Sequence, residues 1–269
     1  MLMKKSASEG KIGDVRFMNG VVSFQGVKLN VYSFETDGVL IDTGAQSLLK
    51  QFKSFFEKAD IDQVVITHSH EDHTGGAGYL QKTFGLPVYM DKKHIAECAG
   101  KAKYPFYRKA FWGSRKPFTA LPFGKTFMSR QAEWKIIDTP GHAADHLAFL
   151  NTETGQLFSG DLYVNPKTKL VLREEHIPDI IRSIETVLAH DYEEMFCCHA
   201  GYVKDGRKAM EKKLEYLIGL REQTLDLHGQ GFDEKEIKNR LLPNKYPITK
   251  FSSGEWDSIH MIRSILAEA

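Results

Sequence analysis

The run Thr67-His68-Ser69-His70-Glu71-Asp72-His73-Thr74-Gly75-Gly76 decides how the rest of this chain is read. His68, His70, Asp72 and His73 fall within six residues of it. Imidazole and carboxylate are the ligands that borderline divalent metals prefer. Side chains two apart on a helix point in different directions. His68 and His70 are therefore expected on a loop leaving a strand end. The apolar Val64-Val65-Ile66 supplies that strand, and Asp72 and His73 open a helix that continues through Ala77, Leu80 and Phe84.

Working outward, three more candidate ligands follow the same rule. His142 stands in Thr139-Pro140-Gly141-His142, after the apolar Trp134-Lys135-Ile136-Ile137. Asp161 closes the strand-like Leu157-Phe158-Ser159-Gly160, and His199 follows Met195-Phe196-Cys197-Cys198. Open sheets place ligand sites at strand ends. Five histidines and two aspartates are enough for two metal ions, and a pair of adjacent ions is a device for hydrolysis.

Upstream, residues 14–18, 21–24 and 29–34 read as short strands broken at Asn19-Gly20 and Gly26. Val39-Leu40-Ile41 is a buried strand ending at Asp42-Thr43-Gly44. Leu48, Leu49, Phe52, Phe55 and Phe56 recur at helical spacing. Downstream, 177–188 reads as a helix. Met210, Leu214, Leu217, Ile218 and Leu225 form an apolar helical stripe stopped at Gly229 and Gly231. Asp233 with Glu236 reads as a capping box, and Ser252 with Glu255 as another that opens a last helix through Trp256, Ile259 and Ile265.

The bulk properties set the outer limits. The 269 residues allow one large domain or two small ones. Hydrophobic residues make up 42%, charged residues 26%, and mean hydropathy is −0.36, an ordinary globular balance. A net charge of +1 gives no whole-molecule steering toward nucleic acid or membrane. The start Met1-Leu2-Met3-Lys4-Lys5-Ser6 has no apolar stretch after it, and no run nears the ~18–20 apolar residues of a spanning helix. The odd cysteine count (Cys98, Cys197, Cys198) argues against a disulfide framework. A cytoplasmic location without membrane association is the expectation, with Cys197 and Cys198 as small buried side chains.

In this order, Asp42, the His68–His73 cluster, His142, Asp161 and His199 resemble the metallo-β-lactamase superfamily. The resemblance implies an α+β fold, a four-layer αββα sandwich with the metals in a cleft at one edge of the two sheets. With the helical pattern after Gly201, the expectation is a catalytic domain over 1–203 and a C-terminal helical segment, 204–269, packed on the same domain. It assigns His68, His70 and His142 to one metal, Asp72, His73 and His199 to a second, and Asp161 to both, with Asp42 bracing the loop from behind. The expected activity is that of a dinuclear metal-dependent hydrolase. A metal-bound hydroxide, oriented by a catalytic Asp72, would cleave an ester, thioester or lactone. Zinc is the expected metal, with iron or manganese as alternatives. Asp161 stands where the zinc β-lactamases of the family usually carry cysteine, and His70 where the flavodiiron branch carries glutamate. The alternatives are a phosphodiesterase or nucleotide hydrolase on the same site, and a mononuclear iron oxidoreductase of the persulfide dioxygenase type.

Outside the motifs, residues 101–123 stand apart. They carry Tyr104, Phe106, Tyr107, Phe111, Trp112, Phe118 and Phe123, and no acidic residue occurs between Glu97 and Glu133. The expectation is a substrate lid for a small, anionic, partly apolar molecule, with Tyr104, Tyr107, Arg108 and Trp112 facing the pocket together with Tyr163 and His176. The competing readings are a homodimer contact rich in aromatics, a packed insertion with solvated lysines, and a nucleic-acid groove, the least expected of them. The remaining histidines, His94, His190, His228 and His260, are expected at the surface, and His146 behind the ligands.

Overall fold

A computed structural model of the chain describes residues 3–268. Met1 and Leu2, the first residues of the start quoted above, lie outside the described residues. A seven-stranded sheet runs in chain order through β1 (Lys4–Ile12), β2 (Val15–Phe24), β3 (Val27–Thr36), β4 (Val39–Ile41), β5 (Gln63–Val65), β6 (Val88–Met90) and β7 (Leu121–Pro122). Its first four strands are antiparallel, and β4 to β7 are parallel. The second sheet is built from β8 (Thr126–Met128), β9 (Glu133–Asp138), β10 (Leu147–Asn151), β11 (Leu157–Gly160), β13 (Met195–Cys197) and β14 (Gly201–Val203), in the order β14-β13-β11-β10-β9-β8. Strands β12 (Val171–Leu172) and β15 (Trp256–Asp257) pair with each other apart from both sheets.

The central strands are apolar on consecutive residues because both of their faces are covered. Val39 and Ile41 of β4 point into the layer between the sheets, and Leu40 points out to the helices. In β10, Leu147 and Phe149 face the other sheet, while Ala148 and Leu150 face outward. The period of two along each strand thus builds three apolar layers. Helices α1 (Leu49–Lys58), α2 (Glu71–Thr74), α3 (Ala77–Phe84), α4 (Ile95–Ala99) and α5 (Phe106–Trp112) belong to the first sheet's half of the chain. Helices α6 (Ile177–Leu188), α7 (Gly206–Gly229) and α8 (Glu234–Leu241) cover the second sheet, together with α10 (Ile259–Leu266). The short α9 (Pro247–Phe251) returns to the first side and puts Ile248 into the core there. This is the four-layer α+β sandwich expected. Among the described residues no helix is long and apolar enough to cross a membrane.

Several local expectations are corrected. Asn19-Gly20 does not break a strand: β2 runs unbroken through it. A Cβ at Gly20 would lie 2.6 Å from Leu48 and Phe52, so glycine is there to let α1 and its entry turn sit on the strand. The strand β1, which has no apolar alternation and is mostly exposed, is a full-length partner of β2. The helix after the histidine cluster is two helices. The His73 carbonyl accepts from the Thr43 N–H and the Thr43 hydroxyl, both at 2.8 Å, and Gly75 N–H donates to Gly44, so the helical ladder is diverted to the 42–44 turn. Ser252 opens no helix. Its Oγ accepts from Trp256 N–H, Trp256 lies in β15, and Asp257 accepts from Ile259 N–H at the start of α10. The Asp233–Glu236 capping box is present on α8. Along α7 the buried residues are Gly206, Met210, Lys213, Leu217, Leu220 and Thr224, and Leu225 is exposed. His260 is buried and bonds through Nε2 to the Gly254 carbonyl, not surface-placed as expected.

Candidate metal centre

Strands β5, β9, β11 and β13 lead to the segments that carry the seven candidate ligands. Asp42, directly after β4, ties the first of these segments down. It is fully buried at a positive φ of 54°, a region that aspartate tolerates better than most residues. One of its oxygens accepts from Thr67 N–H at 2.8 Å. The other accepts from the Thr67 hydroxyl and from His73 Nδ1, each at 2.8 Å, and from the Cys198 thiol at 3.0 Å. Asp42, His73 and Cys198 also lie close enough to hold an ion. Those four hydrogen bonds already fill Asp42, so this trio is a brace.

Six of the candidate ligands fall into two trios whose ligand atoms lie within 4.8 Å of one another, His68-His70-His142 and Asp72-His73-His199. In the first trio, His68 Nε2 is 3.0 Å and His142 Nε2 3.1 Å from His70 Nδ1. Asp161 faces both trios: its oxygens are 3.4 Å from His142 Nε2, 3.5 Å from His73 Nε2 and 2.9 Å from His199 Nε2. Asp72 completes the second trio, 3.8 Å from His73 Nε2 and 3.6 Å from His199 Nε2.

In four of the five rings the nitrogen turned away from this centre is held. His68 Nδ1 bonds to the Thr67 hydroxyl, His73 Nδ1 to Asp42, His142 Nδ1 to Glu175 at 3.0 Å and His199 Nδ1 to the Asn30 carbonyl. Such anchoring fixes the tautomer and leaves the inward nitrogen as a lone-pair donor, the arrangement of metal-binding imidazoles. Two buried inward atoms, His73 Nε2 and Asp161 Oδ1, have no hydrogen-bond partner. Buried polar atoms are seldom left so, and two bare lone-pair donors facing one point are what a cation satisfies. The residues fit a metal centre.

The electrostatics agree. Burial and the surrounding imidazoles hold His68 and His70 well below the ordinary histidine range. Burial works the same way on His73, yet Asp161, Asp42 and Asp72 together drive it well above. His199, buried but set beside Asp161, is pushed up to about 9. Against its own burial, Asp161 is held well below the carboxylate range by His199 and His73. The carboxylates thus draw positive charge to this point, which protons supply if nothing else does.

Behind the centre, His146 is buried and neutral, its pKa lowered to about 3 by burial and the neighbouring His142. Its Nε2 accepts from Asp161 N–H at 2.9 Å, so Nδ1 carries the proton and donates to Thr139 at 2.7 Å. A Cβ at Gly160 would meet that ring at 2.5 Å, and the residue sits at φ +50°, which reserves the position for glycine. On the far side, Lys213 is buried and its ammonium donates to the carbonyls of Leu162 and Tyr163, both at 2.7 Å. These carbonyls directly follow Asp161. Val164 comes next at a strained φ of 50°. Lys213 therefore holds the turn on which Asp161 sits.

The centre opens into a cleft of about 670 Å³. Tyr107, Arg108 and Trp112 line it, so α5 borders the site. Three other expected pocket residues sit elsewhere. Tyr104 is not in the lining, and its hydroxyl is buried without a partner. Tyr163 belongs to the helix-side core, and His176 caps the start of α6 beside Asp179, 2.9 Å away. Arg108 does not present its charge to the cleft as an anion receptor. It grips the buried Glu71 with two bonds of 2.6 and 2.7 Å, and Glu174 and Glu255 lie 3.5 and 3.6 Å away. The sequence reading did not single out Asn30, Glu175 or Lys213. Asn30 and Glu175 touch histidines 169 and 33 residues away. Lys213 was legible only as a polar residue on the buried face of α7, between Met210 and Leu217.

Comparison with known proteins bears on the whole arrangement. A family model described as the metallo-beta-lactamase superfamily matches residues 30–214. The thioesterase pkgB of Emericella nidulans is 32% identical over 155 residues, covering 55% of this chain and 39% of that protein. The beta-lactamase-like protein 2 homolog of Drosophila melanogaster is 26% identical over 223 residues, covering 81% of this chain and 72% of that one. Among solved structures, a beta-lactamase domain protein from Burkholderia ambifaria superposes with a TM-score of 0.69 at 15% identity, covering 96% of this chain and 87% of that one. The chain thus spans well under half the length of the first of these relatives.

Proposed function

The chain belongs to the metallo-β-lactamase superfamily, and from that premise we propose that it is a hydrolase with two divalent metal ions that cleaves a thioester, or a related ester or lactone, of a small acid. His68, His70 and His142 would hold one ion, Asp72, His73 and His199 the other, and Asp161 both. The observation that carries this is the position of Asp161, facing both trios with one buried oxygen unpartnered. When bound, the ions supply Lewis acidity and bring the pKa of a water toward neutrality.

The chain's own residues do the rest. Asp72, which lines the cleft, accepts the proton of the attacking water and passes it to the departing thiolate or alkoxide. Asp42, Glu175, Asn30 and Thr67 keep four imidazoles from turning, so no reorientation is needed as charge develops. Leu29, Trp112 and Leu172 help shield the cleft from bulk water. Thioesters head the substrate list because the thioesterase pkgB is the relative with the highest identity of the two curated ones above.

Zinc is the proposed metal, since nitrogen and carboxylate donors suit it. Three free buried cysteines accord with a reducing compartment, and a cytoplasmic location is part of the proposal. Residues 204–269 are proposed to belong to the same catalytic body, a reading supported by the packing of α7 on α6 and β13. The test joins metal analysis to a substrate panel. Two metals per chain with hydrolysis of thioesters is the expected result. One iron per chain with oxygen uptake would place the protein with the dioxygenases instead.

A further inference from the structure

The lining of the cleft is of two chemistries. His70, Asp72, His142, Asp161 and His199 are its polar part. Its apolar part, here called the apolar end, is Phe111 and Trp112 of α5, Leu170, Ile248 of α9 and Trp256 of β15, which share one hydrophobic cluster, with Leu172 of β12 paired to Trp256. Phe111, Trp112, Leu172 and Ile248 are each 6% exposed or less, so the protein itself covers most of each and only a small apolar face of each is left to the cleft. A charged group there would meet a desolvation cost with no partner to offset it. The carboxylates Glu174 and Glu255 that flank Arg108 leave that cation no free charge to offer. The cations not paired with a carboxylate on this cleft are Lys28 and Lys169, both exposed, and the buried Lys213, whose ammonium is held by two carbonyls. A volume of about 670 Å³ is in the range that encloses a whole small ligand.

We propose that the apolar end is an acyl pocket, which makes the substrates thioesters of bulky apolar carboxylic acids and makes Ile248 and Trp256 the residues that set acyl length. The proposal rests on the hydrolase reading for the reaction, but not for the binding. The acyl arm is the occupant because the scissile carbonyl must reach Asp72, and its uncharged side alone suits the dry wall. The polar carrier of the leaving thiol is left toward the mouth, where Lys28 and Lys169 meet solvent. Ile248 and Trp256 lie outside the region shared with the superfamily model, which ends at residue 214. The pocket is thus closed by this chain's own C-terminal segment: Trp256 is held beside Leu172 by the β12–β15 pairing, and Ile248 by packing in the first outer core.

The experiment has two arms. In the first, zinc-loaded protein hydrolyses N-acetylcysteamine thioesters of straight-chain acids from acetyl to dodecanoyl. The expected kcat/KM rises roughly threefold to fourfold per methylene, the worth of burying one such group, until the wall is reached. Ile248→Ala should move the optimum to longer chains and Ile248→Phe to shorter ones. In the second arm, thioether analogues with CH2 in place of the carbonyl are bound to the wild-type protein and read by tryptophan fluorescence. The response is assigned with Trp112→Phe and Trp256→Phe. Affinity should climb with chain length in the same steps. A flat length series in binding overturns the pocket, even if thioesters are hydrolysed. Length-dependent binding without hydrolysis supports the pocket and removes the thioesterase reading alone. The binding series needs no Ile248 variant, so a variant that fails to fold decides nothing against it.

Discussion

The ligand centre and the α5 segment both crowd charged and aromatic side chains into a small volume, and they dispose of the charge in opposite ways. Around Asp161, four rings are anchored at their outer nitrogens, and His73 Nε2 and Asp161 Oδ1 are left buried with no hydrogen-bond partner in the chain. Around α5, the arginines are taken up within the fold, while Lys101, Lys103, Lys109 and Lys116 are exposed. Arg108 is met by three carboxylates, Arg115 by the carbonyls of Glu97, Cys98 and Gly100, and Arg130 by Asp60 and Asp62. Unmet charge inside a protein marks a site, whereas met charge marks a fastening. A count of charges in a sequence does not distinguish the two, because the partners of Arg108 lie 37, 66 and 147 positions away.

The largest expected effect comes from removing the charge that both trios share. Asp161→Ala should lower turnover by at least about a hundredfold, the scale for losing one electrostatic group at a reacting centre. It should also lower the metal content per chain, since two cations would face each other without a shared counter-charge. Elemental analysis and initial rates on the same preparation test it. A variant with two metals and near-normal rates would show that Asp161 is not shared.

A cut into α5 should hurt folding instead. Arg108→Met leaves Glu71 buried at 1% exposure without its cation, and breaking a buried pair from one side costs about 3 kcal/mol or more. The companion double variant, Arg108→Met with Glu71→Leu, should recover most of that loss. Urea unfolding of the three proteins measures both. If Arg108 instead receives a substrate anion, Arg108→Met will raise KM and leave the unfolding midpoint alone, and the contrast between the two regions collapses.

Asp42 tests whether anchoring is what makes the centre. Asp42→Asn keeps the shape but gives the His73 Nδ1–H a weaker acceptor. A loss of 10-fold to 100-fold in metal affinity or activity is expected, roughly that found for partners of metal-binding histidines. Competition with a chelator reads the affinity directly.

How far these roles could be read in advance follows from how local they are. His68, His70, Asp72 and His73 were legible because they share one loop, and His142, Asp161 and His199 because each follows an apolar strand. The strands were legible where both faces are covered and the run is continuous, as in β4 and β13, and not in β1, which is nearly all exposed. Trp256 reads as helix in the sequence because Ser252 and Glu255 imitate a capping box, while its real partner, Leu172, is 84 residues away. Glu175 and Asn30 have no local signature at all, since their roles arise only when the two sheets meet.

The smallest expected effect concerns the centre's own buried cation. Lys213 is pushed down to about 8 by burial, from an ordinary 10.5. Its folded-state pKa is therefore below its unfolded one, and between about pH 8 and 10.5 the unfolded chain binds more protons than the folded chain. Stability contributed through this group must then rise with pH across that window. One pKa unit corresponds to about 1.4 kcal/mol. The two carbonyl bonds favour the charged ammonium and limit the gain, so an effect of about 1–2 kcal/mol is expected. Lys213→Met should remove it. The difference in unfolding free energy between wild type and variant, followed from pH 7 to 10.5, should grow in favour of wild type. A difference that stays constant with pH would mean that the ammonium is as well solvated by the Leu162 and Tyr163 carbonyls as by water. Lys213 would then be a met charge like Arg108, although it stands beside the centre.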